Sequence, residues 1–131
     1  MVSFIKISEA ASIAIHAIDY MIYKKEPLYI ASNLASELSV SYNHLSKILQ
    51  LLVKHGYLKT SRGPSGGYSL TEKGENAKIG EIIELIDGKL SKNTCLMNRK
   101  VCHRNGCSFQ KFLEKIISEY EKIIDTKIKN F

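Results

Sequence analysis

Apolar side chains recur at helical spacing over the first third of the chain. Ser8 is a residue type that caps helix N-termini, and it precedes an apolar-periodic run that ends before Pro27. This pattern predicts a first helix over about 8–25. A second, short helix is predicted over about 30–38, with Ile30, Leu34 and Leu38 directed inward.

A third helix and a hairpin are predicted next. The third helix follows the turn 39–41, and we expect it to end at Gly56. The stretches 57–62 and 68–70 then flank a turn rich in Gly and Pro, which predicts a β-hairpin. A short helix, a turn, a helix and a hairpin in this order predict a mainly α fold with a small β-hairpin wing, a winged helix-turn-helix.

The second half of the chain predicts two further helices and a long irregular segment between them. After a break at 71–74, a helix over 79–86 ends at Gly88, and the segment 89–107 has little periodicity. A terminal helix over 108–129 would be about 33 Å long at 1.5 Å per residue. Its wide apolar stripe exceeds what a small domain needs for its own core. This favours a long C-terminal dimerisation helix over one that only folds back onto the first helix.

Composition and charge narrow the class of protein. The 131 residues are 44% hydrophobic and 24% charged, which is typical of one globular domain. No apolar run reaches the length of a membrane span and no signal peptide is evident, so we expect a cytoplasmic protein without a membrane partner. The net charge is +6, and neither 38–71 nor 88–113 contains an acidic residue. Such basic stretches suit a polyanion such as DNA, although a solvated basic face would look the same.

The helix-turn-helix prediction identifies candidate DNA contacts. The N-terminal residues of the second helix of such a motif meet base edges in the major groove. Here these residues are Ser41, Tyr42, Asn43 and, one turn further, Lys47. Asn43 could pair with adenine and Lys47 could reach a guanine or a phosphate, whereas Ser41 could serve only as a helix cap.

The turn of the predicted hairpin adds two candidates. Arg62 could enter a minor groove or hold a phosphate. Gly66, with its neighbours Gly63 and Gly67, permits a tight turn at the tip. We therefore expect one domain over 1–131. It comprises a DNA-binding part at about 8–74, a helix and cysteine loop at 75–107, and a dimerisation helix at 108–131.

All three cysteines lie within the irregular segment, as Cys95, Cys102 and Cys107 with the spacing Cys-x6-Cys-x4-Cys. Thiolates are soft, anionic ligands that hold iron–sulfur clusters, and three of them leave a fourth position to be filled. Zinc is an alternative, but the close Cys pair of usual zinc sites is missing. Thiol redox chemistry without a metal, or no cofactor, remains open. No catalytic motif is present, so we do not expect an enzyme.

The ten residues 61–70, SRGPSGGYSL, closely resemble the wing signature of the Rrf2 family of dimeric bacterial winged-helix transcription regulators. Residues 45–58 resemble the third helix of that family and its exit, and 80–88 resemble the helix before its cysteine loop. The resemblance covers nearly the whole chain. It implies a homodimeric repressor on a palindromic DNA operator. An iron–sulfur cluster, [2Fe-2S] or [4Fe-4S], would control the affinity by sensing redox state, nitric oxide or cluster supply.

The cysteine loop departs from the usual family pattern, Cys-x5-Cys-x5-Cys followed by a His. Gln110 stands where that His would be. Glu9 matches the position where the nitric-oxide-sensing branch uses a carboxylate, and His103 is an alternative fourth ligand. Two other interpretations stay open. One is a regulator of this family that works by thiol redox chemistry or without a cofactor, and the other is a winged-helix protein-interaction module.

Overall fold

Six helices and one two-stranded hairpin make up the part of the chain that the computed structural model describes, residues 5–95 and 103–131. The elements in chain order are α1 (Glu9–Lys24), α2 (Ala31–Leu38), α3 (Tyr42–Lys54), β1 (Leu58–Ser61), β2 (Gly67–Leu70), α4 (Glu72–Glu75), α5 (Ile79–Asp87), α6 (Ser108–Ile124) and a 3-10 turn (Ile128–Asn130). This order confirms a mainly α fold with a hairpin wing. No helix within the described residues has the length and apolar character that crossing a membrane requires.

The predicted helix boundaries are explained by capping contacts. The Ser8 hydroxyl accepts a hydrogen bond from the Ala11 amide at 3.1 Å, so α1 begins one residue later. Gly56 has a φ of 84°, the left-handed conformation that lets the chain leave α3. The first three predicted helices are thereby confirmed to within a residue or two.

Two local predictions were wrong. Ile30 was expected to point inward, but it is the extended residue before α2 and is 49% exposed. The expected break at 71–74 is instead the start of the short helix α4. Its cap is Thr71, whose hydroxyl accepts from the Gly74 amide at 3.0 Å.

The C-terminal helix is shorter than predicted. It ends at Ile124, so its 17 residues span about 26 Å instead of about 33 Å. Beyond it the chain pairs with the entry to α5: the Ile79 amide donates to the Thr126 carbonyl at 3.0 Å, and the Ile128 amide donates to the Ala77 carbonyl at 2.9 Å. Ile128 is 1% exposed in the core. The end of the periodic stripe therefore belongs to the core of its own domain.

The hairpin is fixed to the helix-turn-helix. β1 and β2 pair antiparallel, with Leu58 opposite Leu70. The backbone of Tyr68 also exchanges two hydrogen bonds, of 2.7 and 2.8 Å, with that of Tyr29, just before α2. The buried Tyr29 hydroxyl donates to the Met21 carbonyl at 2.9 Å, which ties this bridge to α1. The wing is thus held to the motif by backbone pairing as well as by packing.

Candidate nucleic-acid interface and cysteine segment

Helix α3 separates its residues sharply between core and solvent. Its buried residues are Leu45, Ile48, Leu49 and Leu52. Four exposed residues lie on the opposite side: Asn43, Lys47, Gln50 and Lys54. At about 100° per residue these four fall within an arc of about 60°, centred opposite the buried face. We call this arc the outer stripe of α3. It gives the helix a polar, cationic surface that faces away from the domain.

The predicted contacts on α3 fall at different places around it. Asn43 and Lys47 lie on the outer stripe, whereas Tyr42, which is 55% exposed, lies about 100° around the helix from Asn43. The Ser41 hydroxyl accepts from the His44 amide at 3.4 Å, so Ser41 caps α3 while remaining exposed. Gln50, the third residue of the outer stripe, was not among the contacts predicted from the sequence. Counting helical turns onward from Asn43 would have found it.

The wing brings Arg62 into solvent beside a turn whose shape depends on glycine. Gly63 has a φ of 103°, and the Gly66 amide donates to the Gly63 carbonyl at 2.9 Å. A Cβ at Gly66 would collide with the backbone carbonyl of Ser61. Gly66 therefore determines the shape of the turn that presents Arg62.

The cations of α3 and the wing form no ion pairs with the described residues of their own chain. Lys47, Lys54, Lys59 and Arg62 are exposed. In the described parts of the chain, the ion pairs lie elsewhere: Lys78–Asp125, Lys92–Glu121 and Lys122–Glu119. Four cations without an acidic partner on α3 and the wing remain available to a polyanion.

The segment 89–107, which we call the cysteine segment, is described at its two ends, and Cys102 lies outside the described residues. Cys95 is half-buried, and its amide donates to the Asn93 side-chain oxygen at 2.9 Å. Cys107 is also half-buried and is the N-cap residue of α6. The described residues contain no group of three side chains placed to hold a metal ion. The Cys95 and Cys107 thiols nevertheless have the donor chemistry that an iron–sulfur cluster needs.

The two candidates for a fourth ligand are both exposed. Glu9 is in the first turn of α1, and His103 lies in the described residues just before Cys107. The Ser8 amide donates to an Asp87 carboxylate oxygen at 2.9 Å. This bond places the start of α1 against the end of α5, where the cysteine segment begins.

A cleft of about 240 Å³ lies at this junction and is lined by residues of α5 and α6, by residues 88–91 after α5 and by Lys6 before α1. Burial raises the pKa of Tyr120 in its wall, and the Asp87 and Glu84 carboxylates add to that rise. Lys92, in the segment after α5, pairs with Glu121 of α6.

The apolar stripe of α6 divides into two halves. Leu113 is buried and Ile124 packs against the core. Phe109, Phe112 and Ile123 are 50%, 52% and 52% exposed. These three lie within an arc of about 60°, which we call the outer face of α6.

The fold and the surface of α3 define a class: a winged-helix protein with a basic DNA-binding face. Comparisons with known proteins give the family. The Rrf2 family model, described as an iron-dependent transcriptional regulator, matches residues 7–128. The chain belongs to the Rrf2 family, whose members are DNA-binding transcriptional regulators and not enzymes.

Individual relatives agree with this assignment. The HTH-type transcriptional regulator NsrR of Bacillus licheniformis is 33% identical over 95 residues, which cover 71% of this chain and 66% of that protein. The NsrR of Shouchella clausii is 27% identical over 109 residues, covering 77% and 69%.

Solved structures share the fold. CymR, the global cysteine regulator of B. subtilis, has a TM-score of 0.74 at 19% identity and covers 97% of this chain and 95% of its own. IscR of T. potens has a TM-score of 0.68 at 21% identity, covering 97% and 85%.

Proposed function

We propose that this protein is a homodimeric cytoplasmic repressor whose affinity for a palindromic operator is set by an iron–sulfur cluster on the cysteine segment. The observation that carries the proposal is the segment itself. Its three cysteines lie in an acid-free stretch, 88–113, with six Lys and Arg residues. These cations would offset the negative charge of a thiolate-ligated cluster.

The cluster would be held by Cys95, Cys102 and Cys107, with Glu9 as the fourth ligand. Cys107 is the N-cap residue of α6, so its thiol lies where the segment meets that helix. Glu9 is exposed at the start of α1. The Ser8–Asp87 hydrogen bond keeps the N-terminus of α1 next to the end of α5, where the segment begins. When bound, such a cluster supplies a redox-active, chemically labile centre. His103 is the alternative ligand, but its neighbour Cys102 makes shared binding to one iron awkward.

The homodimer would form through the outer face of α6. Phe109, Phe112 and Ile123 are about half exposed there, and an apolar strip of this kind is stabilised when a second copy covers it. Two copies would present two α3 helices to successive major grooves, so the operator would be palindromic.

Coupling between the segment and the DNA-binding face would run through α1 and α6. Cys107 connects the segment to α6 through the chain, while Glu9 belongs to α1, which packs against both α3 and α5. A rearrangement of the segment would shift these helices relative to each other. Couplings of this type are typically worth about 1–3 kcal/mol, or about 5- to 150-fold in affinity.

The first test is purification without oxygen, followed by visible absorption and by analysis of iron and acid-labile sulfide. We expect a coloured protein with matched iron and sulfide. Cys95→Ala and Cys107→Ala should lose the colour, and Ser108→Ala, beside Cys107, should keep it. A colourless wild-type protein, expressed with iron and sulfur supplied, would contradict the cluster. It would favour a regulator of the same family that uses thiol redox chemistry, zinc or no cofactor.

The fourth ligand is tested separately. Glu9→Ala should shift the absorption spectrum and shorten the lifetime of the cluster in air, whereas Glu75→Ala, an exposed carboxylate on α4, should leave both unchanged. If His103→Ala has the effect and Glu9→Ala does not, the assignment of Glu9 is wrong.

A further measurement, the salt dependence of the affinity for duplex DNA, tests the DNA binding. A DNA-binding regulator loses affinity steeply as the salt concentration rises. A chain that shows no salt-dependent affinity for any duplex would instead support a protein-interaction module.

A further inference from the structure

The outer stripe of α3 contains a second amide side chain beyond the residues that a helix-turn-helix presents at its N-terminus. Gln50 lies seven residues after Asn43, and both are exposed. Seven residues are almost two full helical turns, so the two side chains lie on nearly the same line along the helix. The Gln50 side chain makes no hydrogen bond with the described residues, so its donor and its acceptor are available to a ligand.

We propose that Gln50 is a specificity-determining residue that contacts an adenine in the operator. This inference rests on the proposed binding of a DNA operator by α3. Glutamine can pair with the N6 and N7 positions of adenine through its acceptor and its donor together. The other residues of the stripe beyond Asn43 are Lys47 and Lys54, and an ammonium group offers donors only. Gln50 and Asn43 are thus the two positions on the stripe with the chemistry of adenine recognition.

The position of the wing supports a contact this far along the helix. β1 begins at Leu58, shortly after α3 ends, and packs against α3. The chain therefore enters the wing from the C-terminal end of α3, and Gln50 lies between that end and Asn43. The two flanking lysines place positive charge on either side of it.

The spacing gives the proposal a geometric consequence. Asn43 and Gln50 are separated by about 10.5 Å along the helix axis at 1.5 Å per residue. Base pairs follow one another at about 3.4 Å along a strand. With α3 lying along the groove, the two amides would contact bases about three steps apart in each half-site.

The experiment is a selection from a library of randomised duplexes, using the full chain and three variants. The wild type should enrich a palindromic motif with an adenine preference at two positions in each half-site. Gln50→Ala should lose about tenfold or more of the discrimination at one of these positions and keep the others. Gln110→Ala is the matched control. It changes the chain's other glutamine, which bonds Glu114 on α6, and should enrich the wild-type motif.

A third variant gives a positive result instead of a loss. Gln50→Lys should move the preference at the same position from adenine to guanine, because lysine donates to the O6 and N7 acceptors of guanine. Thermal unfolding by circular dichroism is expected to match the wild type, since Gln50 is exposed.

Three outcomes would overturn the inference, and they are distinguishable. An unchanged motif for both Gln50 variants means that Gln50 does not contact a base, while the proposed DNA binding stands. A uniform loss of affinity without a change of motif assigns Gln50 to the phosphate backbone. If the wild type enriches no motif, the proposed operator binding fails and the inference fails with it.

Discussion

Helices α3 and α6 both bury one face and expose the other, but their exposed faces have opposite chemistry. The outer stripe of α3 carries amide and ammonium groups, whereas the outer face of α6 carries Phe109, Phe112 and Ile123. Polar groups on a solvated helix are stable in water and attract a polyanion. Apolar side chains exposed over several turns are unfavourable in water and are stabilised by contact with a protein surface. The contrast is the physical basis for the proposal that α3 binds DNA and α6 contacts a second copy of the chain.

The largest expected effect comes from placing a charge on the outer face of α6. Phe112→Glu should convert the dimer to a monomer, because a carboxylate in an apolar interface loses its hydration without gaining a partner. The operator affinity should then fall by about 100-fold or more, since two linked contacts become one. Sedimentation equilibrium and a binding titration on the enriched duplex measure the two effects.

The matched control is Lys115→Glu, which also adds negative charge to α6 but on a surface outside this face. It should remain dimeric. A wild-type protein that sediments as a monomer at micromolar concentration would refute the assignment of the outer face to a second copy.

The anchoring of α6 to the DNA-binding core gives the next largest effect. Ile128 is 1% exposed, and its truncation to Ala should cost about 2–5 kcal/mol in the free energy of unfolding. Ile30→Ala is the control, because Ile30 is 49% exposed and should change stability by less than about 0.5 kcal/mol. Denaturant titration of both variants tests this. Equal losses would mean that the chain after α6 is not part of the core.

Ile128 also shows where sequence reasoning about the fold reaches its limit. The apolar period over 108–129 was regular, and the beginning of α6 was predicted correctly at Ser108. Periodicity records which residues need burial but not which neighbour buries them. Here the chain after Ile124 pairs through its backbone with the residues that lead into α5, and such pairing between distant segments leaves no local pattern.

In the candidate site, too, some features follow from local sequence patterns and others depend on tertiary packing. The solvent positions of Asn43, Lys47 and Arg62 followed from the order of elements and from helical spacing. The proposed cluster ligands follow from residue type and from the family resemblance, whereas their approach to one another would depend on the packing of α1 against α5, which spacing alone does not encode. Glu9 was selected in this manner, and its role remains a prediction.

A smaller effect is expected for a single cation on the outer stripe. Lys47→Ala should weaken binding severalfold at fixed salt. It should also reduce the slope of log affinity against log salt by about 1 if Lys47 contacts a phosphate. Lys115→Ala on α6 should leave the slope unchanged. A loss confined to one base position, with the slope preserved, would place Lys47 on a guanine instead.

The smallest effect is expected where the cysteine segment meets α6. Lys92 and Glu121 form an ion pair, and hydrogen bonding to Glu121, together with its charge, raises the pKa of Lys92. Both side chains are well exposed, so water and salt screen the attraction, and exposed pairs contribute little to stability. Lys92→Ala should therefore leave the thermal midpoint of unfolding unchanged within error, as should Glu121→Ala and the double variant. If the two single variants each lower the midpoint by several degrees and the double variant adds nothing, the pair does hold the segment against α6. The segment would then be connected to the dimer-forming helix by a specific contact as well as by the chain at Cys107.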